Sequence, residues 1–148
     1  MAGPLTIDAS VFLNAFNPAE PHHRESSALM KNIRAGGIPV VAPTLVLPEV
    51  AAAIARAVGD AESARQFADH LRDLPGLILV ALDEDLAMLA AQMASEYRLR
   101  GSDAVYGAVA LRFGSPIVTL DREQYTRLKP VIASRLPAEM LKELGDTA

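Results

Sequence analysis

The sequence predicts an α/β fold: one domain over residues 1–148, with a central, mainly parallel sheet of about four to five strands flanked by helices. Three observations carry this. Short β-rich runs alternate with longer helical stretches, the rhythm of crossover connections between parallel strands. No linker, repeat or low-complexity segment divides the 148 residues, of which 51% are hydrophobic. A chain of this length buries roughly 70% of its unfolded surface in one core, so it needs no disulfide staple, and with no cysteine it has none.

The elements follow in order. Leu5-Thr6-Ile7 reads as a strand running into Asp8, and Val11-Phe12-Leu13 with Ala15-Phe16 makes a helix from about Ala9 to Phe16. Pro18 and Pro21 interrupt the pattern, leaving His22-His23 in a Pro-flanked loop. Glu25 to Arg34 sets Leu29, Met30 and Ile33 at helical spacing, with Gly36-Gly37 as its stop. Ile38 to Ala42 is the second strand. Thr44 to Val58 is an amphipathic helix carrying Val46, Val50, Ala53, Ile54 and Ala57 on one side, with Gly59 after it. Asp60 to Leu74 repeats the helical pattern, and Pro75-Gly76 turns into a third strand, Leu77 to Leu82. Asp83 opens a helix reaching about Tyr97. A short basic loop, Arg98 to Gly101, precedes another helix from Ser102 to Phe113. The fourth strand, Ile117 to Leu120, stops at Asp121; a short helix from Arg122 to Leu128, a fifth strand at Val131-Ile132 and a helical tail from Pro137 to Leu144 complete the chain.

Composition removes several function classes. Without cysteine there is no thiolate zinc site, iron–sulfur cluster or cysteine nucleophile, so a metal must be held by oxygen or imidazole. The start, Met1-Ala2-Gly3-Pro4, lacks the basic and apolar regions of a secretory signal, and the apolar stretch Ile38 to Val50 is broken by prolines and Glu49. The expectation is a cytoplasmic protein with no membrane span. No glycine-rich phosphate loop follows a strand, and no serine lies in a G-x-S-x-G context. A formal charge of −4 argues against broad nonspecific binding to nucleic acid. It leaves open a nucleic-acid enzyme whose acids bind metal.

Open parallel sheets bind ligands at the carboxyl ends of their strands, and four acids fall there. Asp8 and Asp121 each follow a strand directly; Glu49 and Asp103 sit in the first turns of helices that begin at the same edge. Three or four converging carboxylates suit a hard divalent cation, Mg²⁺ or Mn²⁺. Each acid also has a purely structural reading. An Asp between strand and helix is a common N-cap, Asp121 has Gln124 at capping-box spacing, and acids in a first helical turn complement the helix dipole. Asp83, read as a plain cap, is the control. For Asp8 there is a further argument: capping needs one acceptor, and Ser10 could supply it.

The stretches Ile7-Asp8-Ala9-Ser10-Val11-Phe12-Leu13, Leu47-Pro48-Glu49-Val50, Gly101-Ser102-Asp103-Ala104-Val105-Tyr106 and Ile117-Val118-Thr119-Leu120-Asp121-Arg122-Glu123 together resemble the PIN domain, and within it the VapC-like toxin ribonucleases of bacterial toxin–antitoxin pairs. The likeness spans nearly the whole chain. It implies a PIN-like domain acting as a metal-dependent endoribonuclease, with Asp8, Glu49, Asp103 and Asp121 as an acidic quartet holding one or two Mg²⁺ or Mn²⁺ ions. Such an ion lowers the pKa of a bound water and stabilises charge on the scissile phosphate. On that implication Asp8 and Asp103 are direct ligands, and Glu49 and Asp121 bind directly or through water. Ser10 and Thr119 are small polar neighbours that orient carboxylates or water.

The resemblance also implies an RNA substrate, a small antitoxin that inserts a basic side chain among the acids, and a homodimer. Arg98, Arg100 and Arg122 flank the acids and are candidates to contact RNA phosphates; for Arg98 and Arg100 the competing role is charge at a helix C-terminus. Two other functions share the outline: a PIN-like RNA-processing nuclease without an antitoxin, and a non-catalytic module whose acids serve folding or partner binding. A phosphoacceptor signalling domain fits poorly, since Asp8 is followed by Ala9 and no lysine follows the last strands in the required way. A haloacid-dehalogenase-type phosphatase wants an acid where Ser10 stands.

Overall fold

The computed structural model describes residues 3–146. Five strands, β1 (Leu5–Ile7), β2 (Val40–Pro43), β3 (Leu77–Val80), β4 (Ile117–Val118) and β5 (Ser134–Arg135), form one sheet in the order β3-β2-β1-β4-β5. Every neighbouring pair is parallel. Eight helices flank it among the described residues: α1 (Ala9–Phe16), α2 (His23–Ala35), α3 (Val46–Val58), α4 (Ala61–Arg72), α5 (Glu84–Tyr97), α6 (Gly101–Phe113), α7 (Arg122–Leu128) and α8 (Pro137–Asp146). None is long and apolar enough to cross a membrane.

The central strands are apolar except at Thr6, because both faces of a parallel sheet are covered. Every residue of β1, β2 and β4 is buried, whereas the edge strand β3 is only partly so. Leu5 pairs with Val40 on one side of β1, and Ile7 with Val118 on the other. The chain thus builds outward from β1 through β2 to β3, then returns to lay β4 against the opposite side of β1. That reversal leaves a crevice at the carboxyl edge beside β1. Asp8 enters it directly, its amide donating to the Val118 carbonyl at 3.0 Å.

Helix α6 is the most enclosed helix. Asp103 through Ala110 are buried without a break, because α6 packs on β1, β2 and β4 and also against α5. A side chain at Gly107 would put its Cβ 3.0 Å from Leu128 Cδ2 and 3.3 Å from Met93 Cε, so glycine permits this close approach. The core around it includes Phe12, Leu29, Leu86, Tyr106 and Leu128, all fully buried.

Four expected strands shift. The second runs Val40–Pro43, not Ile38 to Ala42, because the Ile38 amide donates to the Ile33 carbonyl at the end of α2. The fifth is Ser134–Arg135, not Val131-Ile132: the amides of Val131 and Ile132 both donate to the Leu128 carbonyl, closing the end of α7, and pairing with β4 begins two residues later. The fourth ends at Val118 because the Leu120 amide is taken by the Ser10 hydroxyl instead of a neighbouring strand. The third ends at Val80, where the Asp83 amide turns back to the Ala81 carbonyl. His23 is also not a loop residue. It begins α2, half-buried, with its Nδ1 2.8 Å from the Asn14 carbonyl oxygen.

Candidate functional site

Asp8 ends β1 and is almost wholly buried, at 7% exposure. Its Oδ2 accepts from the Ser10 amide at 3.0 Å, so Asp8 is itself the N-cap of α1. The expectation that Ser10 could take that role is corrected: the Ser10 hydroxyl instead accepts from the Leu120 amide at 3.1 Å, stitching the start of α1 to the end of β4. Burial pushes the Asp8 carboxyl up from its ordinary value. Hydrogen bonds from Ser10 and Gln124 pull the other way, and the Asp121 charge adds to the rise.

Asp103 stands in the first turn of α6, 9% exposed, and its Oδ2 is buried without a hydrogen bond. Burial, then repulsion from Asp121 and from Asp8, raises its pKa to about 6 despite the nearby Arg100 guanidinium. Glu49 lies in the first turn of α3, held there by a helix that tolerates Pro48 because a first-turn amide has no partner to lose. Its Oε1 accepts from the Tyr106 hydroxyl at 2.6 Å, and its pKa too is raised by burial, with a contribution from the Asp8 charge. Asp121 caps α7, its Oδ1 accepting from the Gln124 amide at 2.9 Å.

The four acids therefore meet, close enough for their charges to act on one another: Asp8 with Asp103, Asp121 and Glu49, and Asp103 with Asp121. The arrangement is partly neutralised from within. Arg100 Nη2 donates to Asp121 Oδ2 at 2.7 Å, and its Nε lies 3.4 Å from Asp103 Oδ2. As the side chains stand, no group of three or more His, Asp or Glu among the described residues is gathered tightly enough to hold a metal ion. In this arrangement Arg100 holds Asp103 and Asp121, and Tyr106 holds Glu49.

The residues nevertheless fit a hard divalent ion. The donor set is all carboxylate oxygen, the buried Asp103 Oδ2 faces only the ion pair from Arg100, and burial, with a smaller contribution from mutual repulsion, raises the proton affinity of three of the acids. An ion here would be held by Asp8 and Asp103, with Asp121 and Glu49 reachable once released from Arg100 and Tyr106.

The remaining expected residues divide. Thr119 is fully buried, and its hydroxyl accepts from the Asp121 amide at 3.0 Å, acting on the backbone that carries the acid. Arg98 takes the left-handed conformation (φ 56°) at the C-cap of α5, and its carbonyl accepts from Arg127, so it occupies the helix end while Arg100 faces the acids. Arg122 is exposed at the start of α7 and pairs with no acid among the described residues. Asp83 is a cap, accepting from the Leu86 amide at 2.9 Å. An apolar groove of about 190 Å³ between Phe16, Met30, Ile33 and Leu74 is lined by none of the four acids.

Two residues escaped the sequence reading. Tyr106 lies one turn after Asp103, and only its motif was visible. Gln124 was legible as half of a capping box, yet the reciprocal bond is absent: the Asp121 amide goes to Thr119, and the Gln124 side chain turns inward to Asp8 and Asp103.

A sequence profile of the PIN domain family matches residues 5–128. Among solved structures, VapC20 of Mycobacterium tuberculosis, a sarcin–ricin-loop-cleaving toxin, aligns with a TM-score of 0.68 and 20% identity over 82% of this chain and 93% of that one. PAE2754 of Pyrobaculum aerophilum aligns with a TM-score of 0.70 and 21% identity over 99% and 92%. A toxin–antitoxin complex from Klebsiella pneumoniae aligns with a TM-score of 0.67 and 16% identity over 91% and 98%. At these identities the likeness is one of fold. No curated protein gives a match.

Proposed function

The chain belongs to the PIN domain family, and on that premise we propose that it is a metal-dependent endoribonuclease, the toxin of a type II toxin–antitoxin pair. The observation that carries this is the meeting of Asp8, Glu49, Asp103 and Asp121 at the carboxyl edge beside β1, with the buried Asp103 Oδ2 facing only a 3.4 Å ion pair from Arg100. Similar folds include one named as a sarcin–ricin-loop-cleaving toxin and one solved as a toxin–antitoxin complex, which supports the nuclease reading and the partner.

A bound Mg²⁺ or Mn²⁺ would supply a water of lowered pKa and neutralise charge on the phosphate under attack. The chain's own residues do the rest. Asp8 and Asp103 offer carboxylate oxygens from rigid positions, one at a strand end and one in a helix buried on all sides. Ser10 and Thr119 hold the backbone around Asp8 and Asp121. Arg100, now clamped on Asp103 and Asp121, is free to turn to a phosphate when those acids take a metal. Its side chain is mostly exposed, so solvent screens the present ion pairs and they contribute little. Arg122 extends the same cationic rim. The antitoxin, on this reading, opposes its own basic group to the acids that Arg100 holds in its absence.

The test is cleavage of a structured RNA by the purified chain with Mn²⁺, and its abolition by EDTA. Cleavage that survives complete chelation would overturn the metal-dependent reading. Arg100→Ala is expected to weaken RNA binding and to reduce the salt slope of log affinity by about one. A titration at several salt concentrations checks it, and an unchanged slope would confine Arg100 to the role of an internal clamp.

A further inference from the structure

We infer that Gln124 is a positioning residue of this site, its side-chain amide holding the Asp8 carboxylate and the first turn of α6 in one relation; the inference rests on the metal-ion reading above. Helix α7 is seven residues long and turns only two of them fully inward, Gln124 and Leu128, one turn apart on the same face. Leu128 is the residue that packing alone calls for. Gln124 is equally buried, at 0% exposure, where a polar group is costly unless it is bonded.

Its contacts explain its presence. Nε2 lies 3.5 Å from Asp8 Oδ1 and 3.3 Å from the Asp103 carbonyl oxygen. Both neighbours are acceptors, so the nitrogen must be the atom that faces them, whichever way the amide is first drawn. Oε1 then points away from both, buried and without a partner. Gln124 has no capping duty to explain it, because Thr119 satisfies the Asp121 amide. A single side chain therefore links the end of β1, the start of α6 and the helix capped by Asp121, segments that are 116 and 21 residues away in sequence for its two contacts.

The chemical type also matters. An amide donates to the acids without adding charge. A lysine here would neutralise the carboxylates that a cation needs, and a glutamate would add a further repelling charge beside Asp8 and lose the donor. Both Nε2 contacts are longer than an ordinary N–H···O bond, so the amide orients the Asp8 carboxylate without fixing it.

Gln124→Met keeps length and near-isosteric volume but donates nothing. In the purified full chain its Mn²⁺ affinity, measured by electron paramagnetic resonance, is expected to fall roughly 10- to 100-fold, the usual effect of losing a group that orients a metal ligand. The kcat on RNA should fall while KM is retained, since the arginine rim is untouched, and circular dichroism in EDTA should show an intact fold. Wild-type Mn²⁺ affinity in a folded Gln124→Met variant overturns this inference alone. Absence of Mn²⁺ binding by the wild type overturns it together with the metal reading. Should the variant not fold, the assigned Gln124 side-chain amide of ¹⁵N-labelled wild type is followed during Mg²⁺ titration: a shift supports the role, and an unmoved resonance rejects it.

Discussion

Replacing Asp8 by Asn is expected to lower Mn²⁺-dependent RNA cleavage by roughly 10³-fold or more, the several kcal/mol that a metal's charge stabilisation supplies, while leaving the protein folded. The two halves of that statement come from different atoms. Asp8 caps α1 by accepting from the Ser10 amide, and an asparagine carbonyl oxygen can do the same. What asparagine cannot supply is the negative charge at the end of β1. Its amide nitrogen would also face the donor on Gln124, which makes the substituted site poorer in acceptors. Gel-based cleavage assays on wild type and variant, with circular dichroism on both, check the result. Equal cleavage by the two proteins would remove Asp8 from the chemistry and leave it a helix cap.

The second large effect is on stability. Asp103 has an ordinary pKa of 3.8 and a folded value of about 6, raised by burial and by its acidic neighbours. Below the lower value it is protonated in both states. As pH rises past it the unfolded chain releases the proton first, so stability falls, and the loss is complete once pH passes the folded value. The sign is the reverse of a salt-bridged carboxylate. At about 1.4 kcal/mol per pKa unit the cost at neutral pH is on the order of 3 kcal/mol. Asp8 and Glu49 are raised as well and act in the same direction.

Urea unfolding in EDTA should therefore give a less stable protein at pH 7.5 than at pH 5. Asp103→Asn should flatten that profile and exceed wild type in stability at pH 7.5. Mg²⁺ should recover stability in wild type at pH 7.5 by binding the ionised, native form, and should do so far less in the variant. A wild-type stability in EDTA that does not change between the two pH values would show that the acids are less strained than their burial implies. Such a trade, function held at a cost in stability, is common where like charges are gathered for chemistry.

Much of the fold was legible because a parallel sheet advertises itself. Buried strands such as Leu5–Ile7 and Val40–Pro43 are apolar but for Thr6, and an acid just past a strand marks the edge where a site can form. Asp8 and Asp121 were placed by that rule, and the structure sets both beside the reversal between β1 and β4. The fifth strand was misplaced because Val131 and Ile132 have strand-forming side chains but spend their amides closing α7. Local propensity could not see that the partner for β4 arrives two residues later.

The sequence by itself determined the class of fold and the exclusion of thiolate chemistry, and marked four acids as candidates at one sheet edge. These follow from periodicity and residue type, which are local properties. Only the tertiary structure decided which partner each acid takes: Tyr106 on Glu49, Arg100 on Asp121 and Asp103, Gln124 on Asp8. The Tyr106 and Gln124 pairs join residues 57 and 116 positions apart. The physical reason is that a side chain's polar atoms bond to whatever the packed backbone brings within about 3 Å, and capping-box spacing in Asp121 and Gln124 was outcompeted once Thr119 stood closer to the amide.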